Sequence, residues 1–161
     1  MTMKSVIKYL PLLFISFLIV SCAAEESDQD GNIVYELPES GIAIENAWAR
    51  PGRINGVSAV YLDLLNGSTE SDTLIELSAP VAGLVELHET FDRGEGMMGM
   101  RQIEEPVFPG REVTVMKPGG LHIMLMQLNQ PLNEGDEVTL TLNFALAGEI
   151  TITAPVRAPG Q

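Results

Sequence analysis

Two histidines and six methionines of this chain, His88, Met97, Met98, Met100, Met116, His122, Met124 and Met126, fall within one stretch of thirty-nine residues, and the only other methionines are Met1 and Met3. Imidazole nitrogen and thioether sulfur together are a ligand set for Cu(I), a soft monovalent ion. His122 and Met124 are two residues apart, so on a strand both sit on one face, with Cα atoms roughly 6–7 Å apart. His88 lies in a separate apolar segment. Met100 follows it after Asp92-Arg93-Gly94-Glu95-Gly96, a turn-rich stretch that suits a hairpin. One hairpin can therefore offer His88 and Met100, and a second strand His122 and Met124.

Alternatives stand beside this set. Met98 shares the face of Met100 in an extended segment and can replace it as the loop ligand. Met126 continues the His122/Met124 face as a neighbour of the site or as core, and Met116 reads as core. Glu86, two residues before His88, completes a rival Glu86/His88/His122 set for a harder divalent ion, Zn(II) or Cu(II). The commoner fate of such a glutamate is a solvated surface position. Trp48 reads as a core aromatic. Asn66-Gly67-Ser68 matches a glycosylation acceptor, although a tight turn accounts for it.

The elements that must position these residues are strands. Val138, Leu140, Leu142 and Phe144 alternate with polar residues, and so do Ile150, Ile152, Ala154 and Val156, with Ala147-Gly148 between them as the turn. Ala59–Leu65 ends at Asn66-Gly67, with Thr73–Leu77 as its expected hairpin partner. Val85–Thr90, Met98–Ile103, Val113–Met116 and Leu121–Leu128 read as further strands, separated by turns such as Pro118-Gly119-Gly120 and Asn133–Asp136. Leu121–Met126 is apolar on both faces, which predicts a central strand covered on both sides. Eight or nine strands with almost no helical periodicity predict an all-β fold, a Greek-key sandwich or barrel, over residues 41–157. Residues 158–161 form a short tail.

Upstream, Lys4 and Lys8 precede the apolar run Tyr9–Val20, too short for a stable membrane span and suited to a signal-peptide core. Ile19-Val20-Ser21-Cys22 resembles the lipobox of bacterial lipoproteins. Residues 1–21 are then a lipoprotein signal peptide, Cys22 is the lipidated residue, and 22–40 is an acidic tether. The mature protein faces the periplasm or extracytoplasmic space of the cell envelope, touching the membrane through its lipid alone. Cys22 is the chain's one cysteine, so the domain has no thiolate for a blue-copper electron-transfer centre. Removing residues 1–21 lowers Lys+Arg from 9 to 7 against 22 acidic residues, taking the formal charge from −13 to −15. Such a surface repels nucleic acid. No nucleophile triad, phosphate-cradling loop or acid–base pair is present, which points away from an enzyme.

The spacing H-x11-M-x21-H-x-M resembles the copper-binding signature of the periplasmic PCuAC copper chaperones, with His88, Met100, His122 and Met124 in its four ligand positions. The likeness extends to Ala47-Trp48-Ala49-Arg50-Pro51, Glu86-Leu87-His88-Glu89 and Pro118–Leu125, and covers about residues 42–157. Glu89 stands where the family often has Met. The resemblance implies a cupredoxin-like fold, one bound Cu(I), and delivery to an acceptor: the CuA site of cytochrome c oxidase, sometimes with a thioredoxin-like assembly protein. The additional His/Met-rich tail that some members carry has no counterpart in Arg157–Gln161. The competing reading from another class is a non-catalytic adhesion or scaffold sandwich with an incidental His/Met cluster.

Overall fold

The computed structural model describes residues 34–158. Every element below belongs to one unit, Tyr35–Gln161. The expected signal peptide, the expected lipidation site Cys22 and most of the expected acidic tether lie outside the described residues.

Ten strands follow in chain order: β1 (Ile42–Ala49), β2 (Val57–Asn66), β3 (Asp72–Ser78), β4 (Ala82–Asp92), β5 (Met98–Gln102), β6 (Val107–Phe108), β7 (Glu112–Met116), β8 (Leu121–Leu128), β9 (Glu137–Phe144) and β10 (Gly148–Pro155). There is no helix among the described residues. One sheet has the order β1-β2-β8-β4-β5, with β7 also pairing β2, and the other has the order β10-β9-β3-β6. All these ladders are antiparallel. Several join strands distant in sequence, as Greek-key connections require.

The two sheets enclose the core. Val60, Leu62, Leu64, Leu87, Ile123 and Leu125 come from the first sheet, and Leu74, Val138, Leu140, Leu142 and Phe144 from the second. Phe108 meets Phe144 edge to face, with ring centroids 6.0 Å apart. The alternation in β9 has its expected outcome, since all four of its apolar residues are buried. The β9–β10 hairpin closes at Gly148, whose φ of 75° is a left-handed conformation open to glycine at no steric cost.

Three expectations need correction. First, β3 does not pair with β2; it crosses to the other sheet and pairs with β9 and β6. Asn66 builds the corner. Its buried amide donates to the carbonyls of Glu70 (3.0 Å) and Phe108 (3.2 Å), and its Oδ1 accepts from the Ser68 N–H (3.0 Å). A Cβ on Gly67 would sit 1.9 Å from the Pro38 carbonyl oxygen, so Gly67 is needed for close backbone approach and not for a two-residue hairpin. This buried amide is also unsuited to glycosylation. Second, β1 was not foreseen, because Ile42–Ala49 holds apolar and polar residues out of strict alternation. A register shift between Glu45 and Trp48, with Asn46 at φ 51°, explains the broken pattern.

Third, β8 is central, between β2 and β4, but the core covers only one of its faces. Ile123 and Leu125 are fully buried, whereas Met124 and Met126 are half-buried on the opposite face. The strand buried on both faces is β2, from Ser58 to Asn66.

Candidate metal centre

The sheet face turned away from the core gathers the candidate ligands. His88 of β4 lies directly opposite His122 of β8, and Glu86 lies opposite Met124. Thr90 lies opposite Met100 of β5. Cross-strand partners share a face and stand about 4.5–5.5 Å apart at Cβ. The chain thus brings His88, His122, Met124 and Met100 onto one patch. Leu87 and Ile123, paired between them, point into the core.

The local chain path explains why His122 presents its ring there. β7 and β8 run in the same direction along β2. Met116 pairs with Leu62 and Ile123 with Val60, so Tyr61 alone faces the six residues Lys117–His122. Pro118-Gly119-Gly120 is therefore an outward excursion within one strand line. It is closed by Gly120 N–H to Lys117 O (3.0 Å) and Lys117 N–H to Leu121 O (2.9 Å). The Gly120 carbonyl accepts from Thr90 N–H (3.1 Å) and lies 2.8 Å from His122 Nδ1. A carbonyl can only accept, so Nδ1 carries a proton, and in the neutral ring the lone pair is on Nε2. His122 is 5% exposed and held by that bond, which makes Nε2 a fixed donor for a metal.

His88 and His122 have ring centroids 6.3 Å apart. With a metal–nitrogen bond of about 2 Å, one ion between the rings is within reach of both. His88 Nε2 lies 2.8 Å from Glu86 Oε2. This corrects the surface reading of Glu86: it is a partly buried partner of His88. No group of three or more His, Cys, Asp or Glu side chains arranged to hold a metal ion occurs among the described residues.

An open pocket of about 380 Å³ lies over the His122, Met124 and Met100 part of the patch; Tyr61, Thr90 and Arg50 also wall it, and His88 stands outside its lining. In so acidic a chain, this wall holds no carboxylate. Met100 is 59% exposed, and Met98 equally so. Met98 shares the face of Met100 but pairs with Asp92 at the hairpin tip, one step farther from the histidines. Met126, opposite Leu84 and Val57, lies one step beyond Met124 on the other side. Met116 is core, as expected.

Two aromatic residues flank the site, Trp48 and Tyr61, of which the sequence left Tyr61 unmarked. Trp48, Tyr61 and His122 form a row with centroid distances of 4.6 and 6.2 Å. Arg157 lies 4.9 Å above the Trp48 ring. Trp48 is thus half-buried on the metal-site face and not a core aromatic. The available signal was the alternation of Ala59 and Tyr61 with core-facing Val60 and Leu62, which places Tyr61 opposite the core.

A family model described as "LpqE-like: Putative lipoprotein LpqE-like" matches residues 42–156. The chain belongs to this LpqE-like family. It is 29% identical to the protein RP573 of Rickettsia prowazekii over 159 residues, spanning 84% of this chain and 87% of that one. It is 27% identical over 118 residues to "Putative lipoprotein Lxx21020" of Leifsonia xyli subsp. xyli, spanning 73% of this chain and 70% of that one. Among solved structures it resembles the copper-bound PCuAC domain from PmoF2, with TM-score 0.61, 26% identity, and coverage of 78% of this chain and 97% of that domain. It also resembles the Cu(I) form of DR1885 from Deinococcus radiodurans, with TM-score 0.56, 26% identity, and coverage of 73% and 80%. The LpqE-like chain therefore has the cupredoxin-like β-fold of PCuAC copper chaperone domains, as its resemblance to that family implied.

Proposed function

We propose that this LpqE-like protein is a copper(I) chaperone of the bacterial cell envelope. It holds one Cu(I) through His88, Met100, His122 and Met124 and releases it to an acceptor protein. The observation that carries this reading is the direct pairing of His88 with His122, with Met124 next along β8 on the same face and Met100 across the pocket. Two thioethers and two neutral imidazoles suit Cu(I) and leave its single positive charge in place. The copper-bound PmoF2 domain and the Cu(I) form of DR1885 support copper as the cargo.

The same geometry supports transfer. Met100 stands on the edge strand of its sheet, at the open pocket, so it is the ligand an incoming donor displaces most readily. His122 is held in place by the Gly120 carbonyl and stays behind. The acceptor we propose is the CuA site of cytochrome c oxidase or a thioredoxin-like assembly protein. Lipidation of Cys22 ties the protein to a membrane and keeps it within reach of such an acceptor. With no cysteine in the domain and four ligands around the ion, the centre carries copper and catalyses nothing.

Cu(I) titration against a competing chelator tests the reading. One ion should bind the wild type, and His122→Ala and Met124→Leu should each weaken it strongly. Unchanged affinity in both variants would reject the site.

A further inference from the structure

We infer that Glu86 is a positioning residue that forces the two histidines to present different nitrogens to copper, Nδ1 from His88 and Nε2 from His122. The inference rests on the metal site proposed above and assigns the rival Glu86 a role outside the ligand set. His88 Nε2 and Glu86 Oε2 are 2.8 Å apart, with both side chains largely shielded, at 17% and 21% exposure. An ionised carboxylate has only acceptor atoms, so the shared proton resides on His88 Nε2. The lone pair of a neutral His88 is then on Nδ1. At His122 the assignment is reversed, because the Gly120 carbonyl takes the Nδ1 proton.

Glu86 reaches this position through sheet register. It precedes His88 by two on β4 and pairs with Met124, so it shares the site's face while standing one step from the His88–His122 pair. Three effects follow. The hydrogen bond fixes the His88 ring, so less rotational freedom is lost when copper binds. The carboxylate polarises the N–H and strengthens the donor on the other side of the ring. It also places one negative charge beside a site whose proposed ligands are all neutral. The pocket lining has Arg50 and no carboxylate, so this compensation comes from Glu86 on β4.

The experiment compares the wild type, Glu86→Gln, His88→Ala and the double variant. Imidazole ¹⁵N NMR on the apoprotein, at about pH 8.5 where a free imidazole is neutral, reads the tautomers directly. His88 in the wild type should carry its proton on Nε2 and His122 on Nδ1. In Glu86→Gln the amide can donate or accept, so His88 should redistribute between tautomers while His122 stays unchanged. Cu(I) affinity should fall about 10- to 100-fold in Glu86→Gln, the usual cost of losing an outer partner of a metal-bound histidine. That loss should vanish in the His88→Ala background, as required of a residue acting through His88. A wild-type His88 protonated on Nδ1 would overturn the inference. So would an equal loss of affinity in the two backgrounds, which marks Glu86 as acting independently of His88, or a change below twofold in Glu86→Gln. Absence of Cu(I) binding by the wild type would defeat the proposed function, and the apoprotein tautomers would still decide what Glu86 does to His88.

Discussion

Ile123 and Met124 are neighbours on β8 with opposite duties, so truncating one and reshaping the other should give opposite results. Ile123 is fully buried between the sheets. Ile123→Ala removes its packing and leaves a cavity, at a cost of about 2–5 kcal/mol. For a domain of this size each kcal/mol lowers the melting temperature by roughly 3–6 °C, so the apoprotein should melt on the order of 10–20 °C lower. Met124→Leu conserves volume on a half-buried face and should cost under about 1.5 kcal/mol. Copper reverses the ranking. With free Cu(I) buffered at about 1,000 times the wild-type Kd, binding adds about 4.1 kcal/mol of stability. Ile123→Ala keeps all four proposed ligands and should gain nearly the same increment. Met124→Leu loses a thioether, and a Kd raised about 100-fold leaves copper at only about 10 Kd and an increment of roughly 1.4 kcal/mol. Anaerobic denaturant unfolding with and without buffered Cu(I) measures both quantities on each variant. The reasoning fails if Met124→Leu retains the full copper increment, or if Ile123→Ala loses it while still folded.

Asp72 is 5% exposed and accepts three backbone N–H bonds, from Thr73 at 2.8 Å, Leu146 at 2.9 Å and Ala147 at 2.8 Å. Asp72→Ala should therefore lower unfolding stability by at least about 3 kcal/mol without changing copper stoichiometry, as denaturant titration and metal analysis would show. Met100→Leu should weaken Cu(I) binding at least about tenfold, whereas Met98→Leu, two residues farther toward the hairpin tip, should shift it less than about threefold; chelator competition on the two variants separates the registers. Cys22→Ser should abolish labelling by a fatty-acid probe in cells and move the protein from the membrane to the soluble envelope fraction.

The sequence displays the elements with strict alternation and hides those without it. β9 and β10 are plain because Val138, Leu140, Leu142 and Phe144 obey a period of two against a single core. β1 escapes notice because a bulge at Asn46 breaks its period. The β2–β3 connection misleads because Asn66-Gly67 carries the composition of a hairpin turn, while a long-range hydrogen bond to Phe108 and contact with Pro38 turn it into a corner between sheets. The site shows the same division. His122 and Met124 share a face by spacing alone, and the turn-rich stretch 92–96 announces the hairpin that carries Met100. The pairing of His88 with His122 depends on register between strands more than thirty residues apart, which only the resemblance to PCuAC chaperones anticipated. The role of Glu86 was not legible, because nothing local distinguishes a glutamate that faces solvent from one that bonds to the next residue on its own face. Pro118-Gly119-Gly120 reads as an ordinary turn, yet it continues β7 into β8 and delivers the carbonyl that orients His122.

X-ray absorption spectroscopy at the copper edge, on the protein loaded with one equivalent of Cu(I), tests the central claim most directly. Two nitrogen and two sulfur scatterers with imidazole multiple scattering, and one sulfur fewer in Met124→Leu, are the predicted result. A first shell without sulfur, or one unchanged in Met124→Leu, would contradict the account.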